Sequence, residues 1–410
     1  GDVLTSRQCR KHLGGVLTAA LLAVAPALSC ADVMMLWRSD GLHAVRAGLE
    51  AGRSDATPAL DAIIGHADEA LTRGPYSVVH KIGFRGGDIH DYYSQGPYWW
   101  PDPESPDGLP YIRRDGQTNP EKYGDAFDSR RRHDMTRDVT ALTLAGYFTG
   151  ERRYLDHAAL QIRTWFITPD TLMNPNMDHA QSIPGRSAGR PPGIIDSRAF
   201  VYIIDAALTL HDLGALNDED LATLQAWFGR MAQWLETSDN GRGERAARNN
   251  HGTYYDLQLA AFHWFAGNTE AAARVVDRFC ETRIAPQLAA DGSQPHELAR
   301  TRPYHYSLFN LQAMANVMLL ARRMQLDTDA AECSIEDGIR RGLAYVAGHP
   351  ATGRDWPAGP GDNAGRGLYE LLVLYHYLAG PDHGRDPALH PRGAFESAMI
   401  HLLLPTEPTR

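Results

Sequence analysis

Two short stretches of the chain concentrate side chains that bind ligands and transfer protons. The first is Arg-Asn-Asn-His-Gly-Thr-Tyr-Tyr at residues 248–255, and an apolar run over residues 257–265 follows it. The apolar run predicts a helix, so the polar groups stand at its start. A helix-capping asparagine would explain one of the two amides but not the whole cluster. Amides and an imidazole are poor core material, and they therefore indicate a ligand site.

The second stretch spans residues 295–311 and adds two arginines, two histidines and two tyrosines. A purely structural role is the alternative, with Arg300 paired to Glu297 and Tyr306 in the core. The density of titratable groups favours function instead. We expect the two stretches to face one cleft.

Amides, an imidazole, a guanidinium and phenols suit the removal of a proton α to a carboxylate. The carboxylate must be masked because the transition state places more charge on it. On a 4-linked uronic acid this reaction is β-elimination: H5 leaves, the bond to O4 breaks, and a C4–C5 double bond forms. Asn250 and Arg300 could grip the carboxylate, and His251 could act as the base or as a further masking cation. Tyr306 could be base, acid or both, with a nearby cation lowering its pKa from about 10.

Three further loops carry residues suited to sugar binding. Residues 91–102 hold five aromatic side chains, which would stack on sugar rings or plug one end of a helical layer. Residues 111–116 add two cations, and residues 174–185 mix amides, an imidazole and prolines. The predicted substrate contacts are Tyr98, Trp99, Trp100, Arg113, Gln181, Asn249, Tyr254, His296 and Tyr304.

Helical periodicity dominates the chain, and alternating strand patterns are scarce. Long loops at 82–129, 174–196 and 349–365 interrupt the pattern, and no boundary separates a second core, so we predict one domain over residues 32–410. Short polar turns between the predicted helices favour repeated antiparallel helix pairs. Such pairs can form either a toroid or an open bundle, and helical periodicity does not distinguish the two. The predicted helices cover residues 42–51, 59–72, 136–149, 154–166, 198–213, 218–236, 254–266, 270–289, 304–324, 334–348, 366–379 and 394–404.

Residues 1–31 resemble a secretory signal peptide. Arg7, Arg10 and Lys11 precede an apolar run at 13–28, and Ser-Cys-Ala at 29–31 fits a cleavage site. A lipoprotein box is less well matched because alanine stands at position 27. We therefore predict a periplasmic or secreted protein, and no later stretch is apolar enough to cross a membrane.

The composition of the chain restricts which molecules it could bind. The formal charge of −10 disfavours general binding to nucleic acid or anionic lipid, so a polyanionic substrate would need a locally basic cleft. No cysteine and histidine spacing predicts a zinc site, and we expect neither a metal nor a cofactor. The sequence leaves open the oligomeric state and whether Cys280 and Cys333 pair.

Three motifs, in order along the chain, resemble the alginate lyase superfamily of bacterial polysaccharide lyases. They are Tyr-Trp-Trp-Pro-Asp-Pro at 98–103, Asn-Asn-His at 249–251, and Glu-Leu-Ala-Arg-Thr at 297–301 with Tyr-Ser at 306–307. The similarity runs from about residue 88 to about residue 374. It implies an α/α toroid with a cleft at one end and a metal-independent lyase acting on an acidic polysaccharide.

The resemblance also implies roles for single residues. It assigns carboxylate neutralisation to Asn250 and Arg300, a base or neutralising role to His251, and the acid/base role to Tyr306. The chain departs from the alginate lyase pattern in two places, since the aromatic pair at 254–255 lacks a tryptophan and Tyr304 competes with Tyr306. These departures suggest a sister family and leave the substrate open.

Stereochemistry favours some uronates over others. Mannuronate and glucuronate carry H5 and O4 on the same side, so one tyrosine could serve both steps, whereas guluronate would favour opposed groups. The sequence thus favours poly-mannuronate or glucuronan, without choosing between endo and exo action. A glycoside hydrolase using two carboxylates from Asp125, Asp128, Asp134 and Glu297 is one alternative. A non-catalytic polyuronate-binding protein is another.

Overall fold

A computed structural model describes residues 36–37, 39–52, 57–330 and 332–348, and helices dominate these ranges. The predicted signal peptide, the third long loop and the last two predicted helices lie outside the described residues. The helices are α1 Ser39–Glu50, α2 Thr57–Ala70, α3 Ser129–Thr149, α4 Arg152–Ile162, α5 Phe200–Asp212, α6 Asp218–Thr237, α7 Asp239–Arg245, α8 Asn250–Phe265, α9 Thr269–Phe279, α10 Ala285–Gln287, α11 Pro295–Leu298, α12 Pro303–Arg323 and α13 Ile335–Gly348.

The longer helices form two layers. Helices α3, α5, α8 and α12 pack successively against one another, and α2, α4, α6, α9 and α13 pack on their outer sides. Nearly every residue of α8 is buried, as an inner position requires. The outer helix α9 buries Ala272, Val275, Val276 and Phe279, which lie on one helical face. This arrangement of inner and outer helices is an α/α toroid, as predicted.

Aromatic side chains fill the space between the layers. The ring of Phe166 lies 5.2 Å from that of Phe200 and 4.8 Å from that of Trp227, and Phe228 extends the cluster. All four side chains are buried. Each stabilises the fold by roughly 1.5–3 kcal/mol through burial, and together they fix the inner helices.

Two inner helices begin earlier than the apolar pattern predicts. Helix α3 starts at Ser129 rather than 136, and α8 starts at Asn250 rather than 254. Their first turns are polar, so apolar periodicity does not mark them. The Asn-Asn-His motif therefore lies at the start of α8 itself. The predicted helices 154–166 and 270–289 each change to a π-helical turn, at Arg163–Ile167 and Cys280–Ile284.

The first two long loops are ordered by short strands and 3-10 turns. Strand β1 (Tyr93–Gln95) pairs in parallel with β4 (His179–Ser182), and β2 (Trp99–Trp100) pairs antiparallel with β3 (Ile112–Arg113). The strands thus bind the two loops to each other. 3-10 turns occur at Val78–His80, Pro120–Tyr123 and Pro191–Ala199, and β5 (Asp329–Ala330) with β6 (Cys333–Ser334) forms a hairpin before α13.

A disulfide joins Cys280, at the end of α9, to Cys333 in β6, with 5.9 Å between their Cα atoms. The pairing that the sequence left open is thus present. Across the described ranges, the helices are too short or too polar to span a bilayer.

Candidate active site

A cavity of about 770 Å³ opens where the four inner helices begin. Each contributes its first turns to the lining: α3 through Arg132 and His133, α5 through Val201 and Tyr202, and α8 and α12 through longer sets. Helix N-termini carry unpaired N–H groups and a partial positive charge, so this end of the toroid favours an anion. The lining residues of α8 and α12 are Asn250, His251, Tyr254, Leu257, His305, Tyr306, Phe309 and Gln312.

The first turn of α8 is fixed by two polar side chains. Asn249 is the N-cap, and its Oδ1 accepts a hydrogen bond from the backbone N–H of His251 at 3.1 Å. Asn250 donates its backbone N–H and its Nδ2 to the buried carboxylate of Glu297, at 2.7 and 2.9 Å. Burial raises the pKa of Glu297 even though Asn250 donates to it. The motif is thereby tied to α11.

His251 is held by a carboxylate from the preceding short helix. Its Nδ1 hydrogen-bonds to Glu244 of α7, which is 2% exposed. A buried carboxylate that accepts the Nδ1 proton leaves Nε2 with its lone pair and fixes the ring orientation. Since His251 lines the cavity, the arrangement can present a base there.

Arg300 is fixed by an ion pair with a carboxylate of the first long loop. Its Nε and Nη2 donate to Asp115 at 3.1 and 2.9 Å, a two-pronged contact that orients the guanidinium plane. The guanidinium carbon lies 3.9 Å from the centre of the Tyr306 ring. The predicted alternative partner of Arg300, Glu297, instead binds Asn250.

Tyr306 is paired with a second tyrosine. Its hydroxyl hydrogen-bonds to that of Tyr98, and both side chains line the cavity. Burial raises the pKa of Tyr306 well above its ordinary value, and Tyr98 raises it further, while Arg300 opposes both. The expected nearby cation is thus present and lowers this pKa, but burial and Tyr98 outweigh it and the net shift is upward. Tyr306 is a neutral phenol that can donate a proton.

Cations surround the cavity. Six lysine and arginine side chains line it, and among the described lining residues Asp196 is the sole carboxylate. Burial raises the pKa of Asp196, but Arg132, Lys122 and the hydrogen bonds that Asp196 accepts together outweigh burial, and the net pKa is lowered. The anionic Asp196 accepts hydrogen bonds from Ser94, Tyr92 and Gln181. The six cations are Arg113, Lys122, Arg132, Arg190, Arg198 and Arg300.

Residues 83–356 match the sequence profile of the alginate lyase family. The chain belongs to the alginate lyase family. The structure of an alginate lyase from Bacteroides ovatus superposes with a TM-score of 0.82 at 32% identity, covering 91% of this chain and 99% of that one. No curated protein sequence matches the chain significantly. Family membership makes the chain a polysaccharide lyase and confirms the predicted enzyme class.

More distant structures share the fold. Alginate lyase A1-III from Sphingomonas species A1 gives a TM-score of 0.52 at 14% identity, covering 92% of this chain and 96% of that one. A tetrasaccharide complex of alginate lyase A1-III gives 0.55 at 13% identity, covering 94% and 98%. Both agree with the α/α toroid.

The lyase brings most of the predicted site residues together. All four predicted catalytic residues line the cavity, as do Tyr98, Trp99, Arg113, Gln181, Asn249 and Tyr254. Three predicted substrate contacts lie outside the lining. Trp100 donates its indole N–H to the backbone oxygen of Gln117, His296 is exposed, and Tyr304 is 1% exposed within the core.

Sequence reasoning missed several residues that build the site. Glu244 and Asp115 were not predicted, although Glu244 stands seven residues before His251 and Asp115 follows the predicted Arg113. Arg190 lies in the predicted long loop at 174–196, Arg198 follows that loop, and Arg132 lies in the unpredicted start of α3.

The carboxylates that a hydrolase would need are placed elsewhere. None of Asp125, Asp128, Asp134 and Glu297 is among the residues that line the cavity. Asp128 forms a buried ion pair with Lys81 at 3.0 Å, and Glu297 is bound by Asn250. Over the described ranges, no group of three or more His, Cys, Asp or Glu residues is placed to hold a metal ion.

Proposed function

We propose that this lyase cleaves a 4-linked polyuronate, namely poly-mannuronate of alginate or glucuronan, by β-elimination driven by its own side chains. The product would carry an unsaturated uronate at the new non-reducing end. The Bacteroides and Sphingomonas relatives are described as alginate lyases, which supports alginate as a substrate.

The observation that carries this proposal is the charge of the cavity. The chain as a whole has a formal charge of −10, yet the cavity lies at the start of four inner helices, and its described lining residues include six cations and one carboxylate. The net negative charge of the protein repels an anionic polymer, whereas the positive potential of the cavity attracts the polymer and concentrates it at the site. The positive potential of the cavity would not strengthen the binding of a neutral polysaccharide.

The mechanism follows from how each group is held. Arg300 and Asn250 neutralise the carboxylate of the sugar whose C5 proton is removed, stabilising the charge that develops there. His251 Nε2 takes the C5 proton, and the Glu244 carboxylate stabilises the imidazolium that results. The C4–O4 bond breaks, and Tyr306 gives its phenolic proton to O4. The Arg300 cation, which lies over the Tyr306 ring, then stabilises the phenolate.

The placement of acid and base supports the substrate assignment. His251 and Tyr306 stand in the first turns of α8 and α12, two inner helices that pack against each other. We infer that groups on neighbouring helix ends approach the sugar from the same side. This arrangement suits mannuronate or glucuronate, in which H5 and O4 share a side.

The test is ultraviolet absorbance of the purified protein mixed separately with poly-mannuronate, poly-guluronate, glucuronan and a neutral glucan. We expect absorbance from the C4–C5 double bond with the first and third substrates, and its loss by at least about a hundredfold in Tyr306→Phe. New reducing ends without absorbance would overturn the lyase mechanism in favour of hydrolysis. A rise confined to poly-guluronate would overturn the substrate assignment.

We also propose that the enzyme acts in the periplasm or outside the cell. The signal-like segment at 1–31 supports this location. The Cys280–Cys333 disulfide supports it independently, because disulfides persist in oxidising compartments.

A further inference from the structure

A second cavity, of about 620 Å³, lies beside the proposed active site and has no role in the mechanism. It is lined by residues 83–86, by Tyr93 and His179, and by residues 182–188. The ring of Phe84 lies 4.7 Å from that of Tyr93 and 5.5 Å from that of His179. Arg85 and Arg186 are its cations, and the described lining contains no carboxylate. Aromatic faces with cations match the apolar faces and carboxylates of uronic acids.

The two cavities adjoin at Trp99. The Arg190 guanidinium lies 5.8 Å from the Trp99 ring centre and lines the first cavity, while that of Arg186 lies 5.6 Å from the same ring and lines the second. The consecutive residues Gln181 and Ser182 of β4 line the first and second cavities respectively. The two cavities therefore lie close together, on either side of Trp99 and of β4.

We propose that the second cavity is a distal subsite that binds further uronate units of the polymer whose scissile bond lies in the first cavity. The inference rests on the proposed function, and it adds that affinity depends on chain length. Short oligouronates fill the first cavity alone, whereas longer ones also contact Arg85 and Arg186.

Arg85 is the most suitable residue to change in a test of the second cavity. Its side chain is exposed in a glycine-rich loop, so Arg85→Ala removes a cation without disturbing the core. Arg186 is less suitable because its Nε donates to the backbone oxygen of Tyr111 and its guanidinium contacts Trp99. Arg230 in the outer helix α6 is also exposed, so Arg230→Ala is a control with the same change in net charge.

The experiment measures Kd by titration calorimetry with oligomannuronates of increasing length, in a Tyr306→Phe background that prevents cleavage. We expect Arg85→Ala to raise Kd about threefold to tenfold for long oligomers and to leave short ones unchanged. Arg230→Ala should leave every Kd unchanged. An Arg85→Ala effect that is absent, or equal at all lengths, would overturn the subsite while leaving the proposed function intact. Absence of binding at every length would overturn both.

Discussion

At the scale of single residues, the proposed catalytic groups are held by other side chains of the fold. Each predicted catalytic side chain has one such partner, and two of the partners are buried carboxylates. A group that is already oriented needs little reorganisation in the transition state, and this preorganisation accounts for much of enzymatic rate enhancement. The pairs are Asn250 with Glu297, His251 with Glu244, Arg300 with Asp115, and Tyr306 with Tyr98.

The pairing of the tyrosines predicts the alkaline limit of activity. Burial, and then Tyr98, raise the pKa of Tyr306, so the phenol keeps its proton above the pH at which an ordinary tyrosine ionises. An acid with a raised pKa fails only at higher pH, so Tyr306 should remain competent through about pH 10. Tyr98→Phe removes one of the groups that raise the pKa of Tyr306. The variant should therefore move the alkaline limb of the pH profile of kcat/KM to lower pH. An unchanged limb in this variant would contradict the prediction.

We predict that Asp115 orients the Arg300 guanidinium toward the substrate, and does not only weaken the positive potential that the substrate meets. Burial raises the pKa of Asp115, but Arg300 and Arg113 together lower it further, so the net pKa is lowered and the ion pair is intact at neutral pH. Asp115→Asn weakens the contact that orients the guanidinium, so kcat/KM should fall about tenfold to hundredfold. Glu104→Gln, an exposed change of equal charge in the same loop, is the control. A lower KM with unchanged kcat would instead indicate that Asp115 only attenuates the charge of Arg300.

At the scale of elements, the inner helices show which parts of the fold their sequence predicts. Apolar periodicity located them, because burial requires apolar residues through most of their length. It failed at their first turns, at 129–135 and 250–253, because those turns face the cleft and are polar. The errors at the starts of these two inner helices therefore coincide with the site, where function rather than packing determines the residue type.

The cap of α8 links its local structure to activity. Asn249 and Asn217 are both N-caps whose side chains accept a backbone N–H, but Asn217 begins the outer helix α6. Replacing either by alanine should lower the free energy of unfolding by about 1 kcal/mol. Only Asn249→Ala should also reduce turnover, because its cap orients the turn that carries His251. Urea denaturation and initial rates measure the two effects, and equal turnover in both variants would refute the link.

At the scale of the whole molecule, the basic cleft could not be read from the sequence. Its cations come from positions between 113 and 300 and meet only because the toroid brings the inner helix ends and two long loops together. Single-sequence reasoning found Arg113 and Arg300 through neighbouring motifs. It had no signal for Lys122 or Arg198, whose positions depend on tertiary contacts.

The disulfide also connects residues that are distant in the sequence. It closes a segment of 53 residues that contains Arg300 and Tyr306, and it connects the outer helix α9 to the strand preceding α13. Closing such a loop in the unfolded chain stabilises the native state by about 4 kcal/mol on the chain-entropy model. The double change Cys280→Ser and Cys333→Ser should therefore lower Tm by about 5 °C.

Reduction of the wild type should lower Tm by the same amount and leave the double variant unaffected, which separates loss of the bridge from any effect of serine at the buried position 280. Turnover well below Tm should persist, because Asp115 and Tyr98 still hold Arg300 and Tyr306 from outside the closed segment. Thermal unfolding with and without reductant, alongside initial rates, tests both points. If turnover fell in the fully folded double variant, the bridge would be positioning the catalytic segment as well as stabilising it.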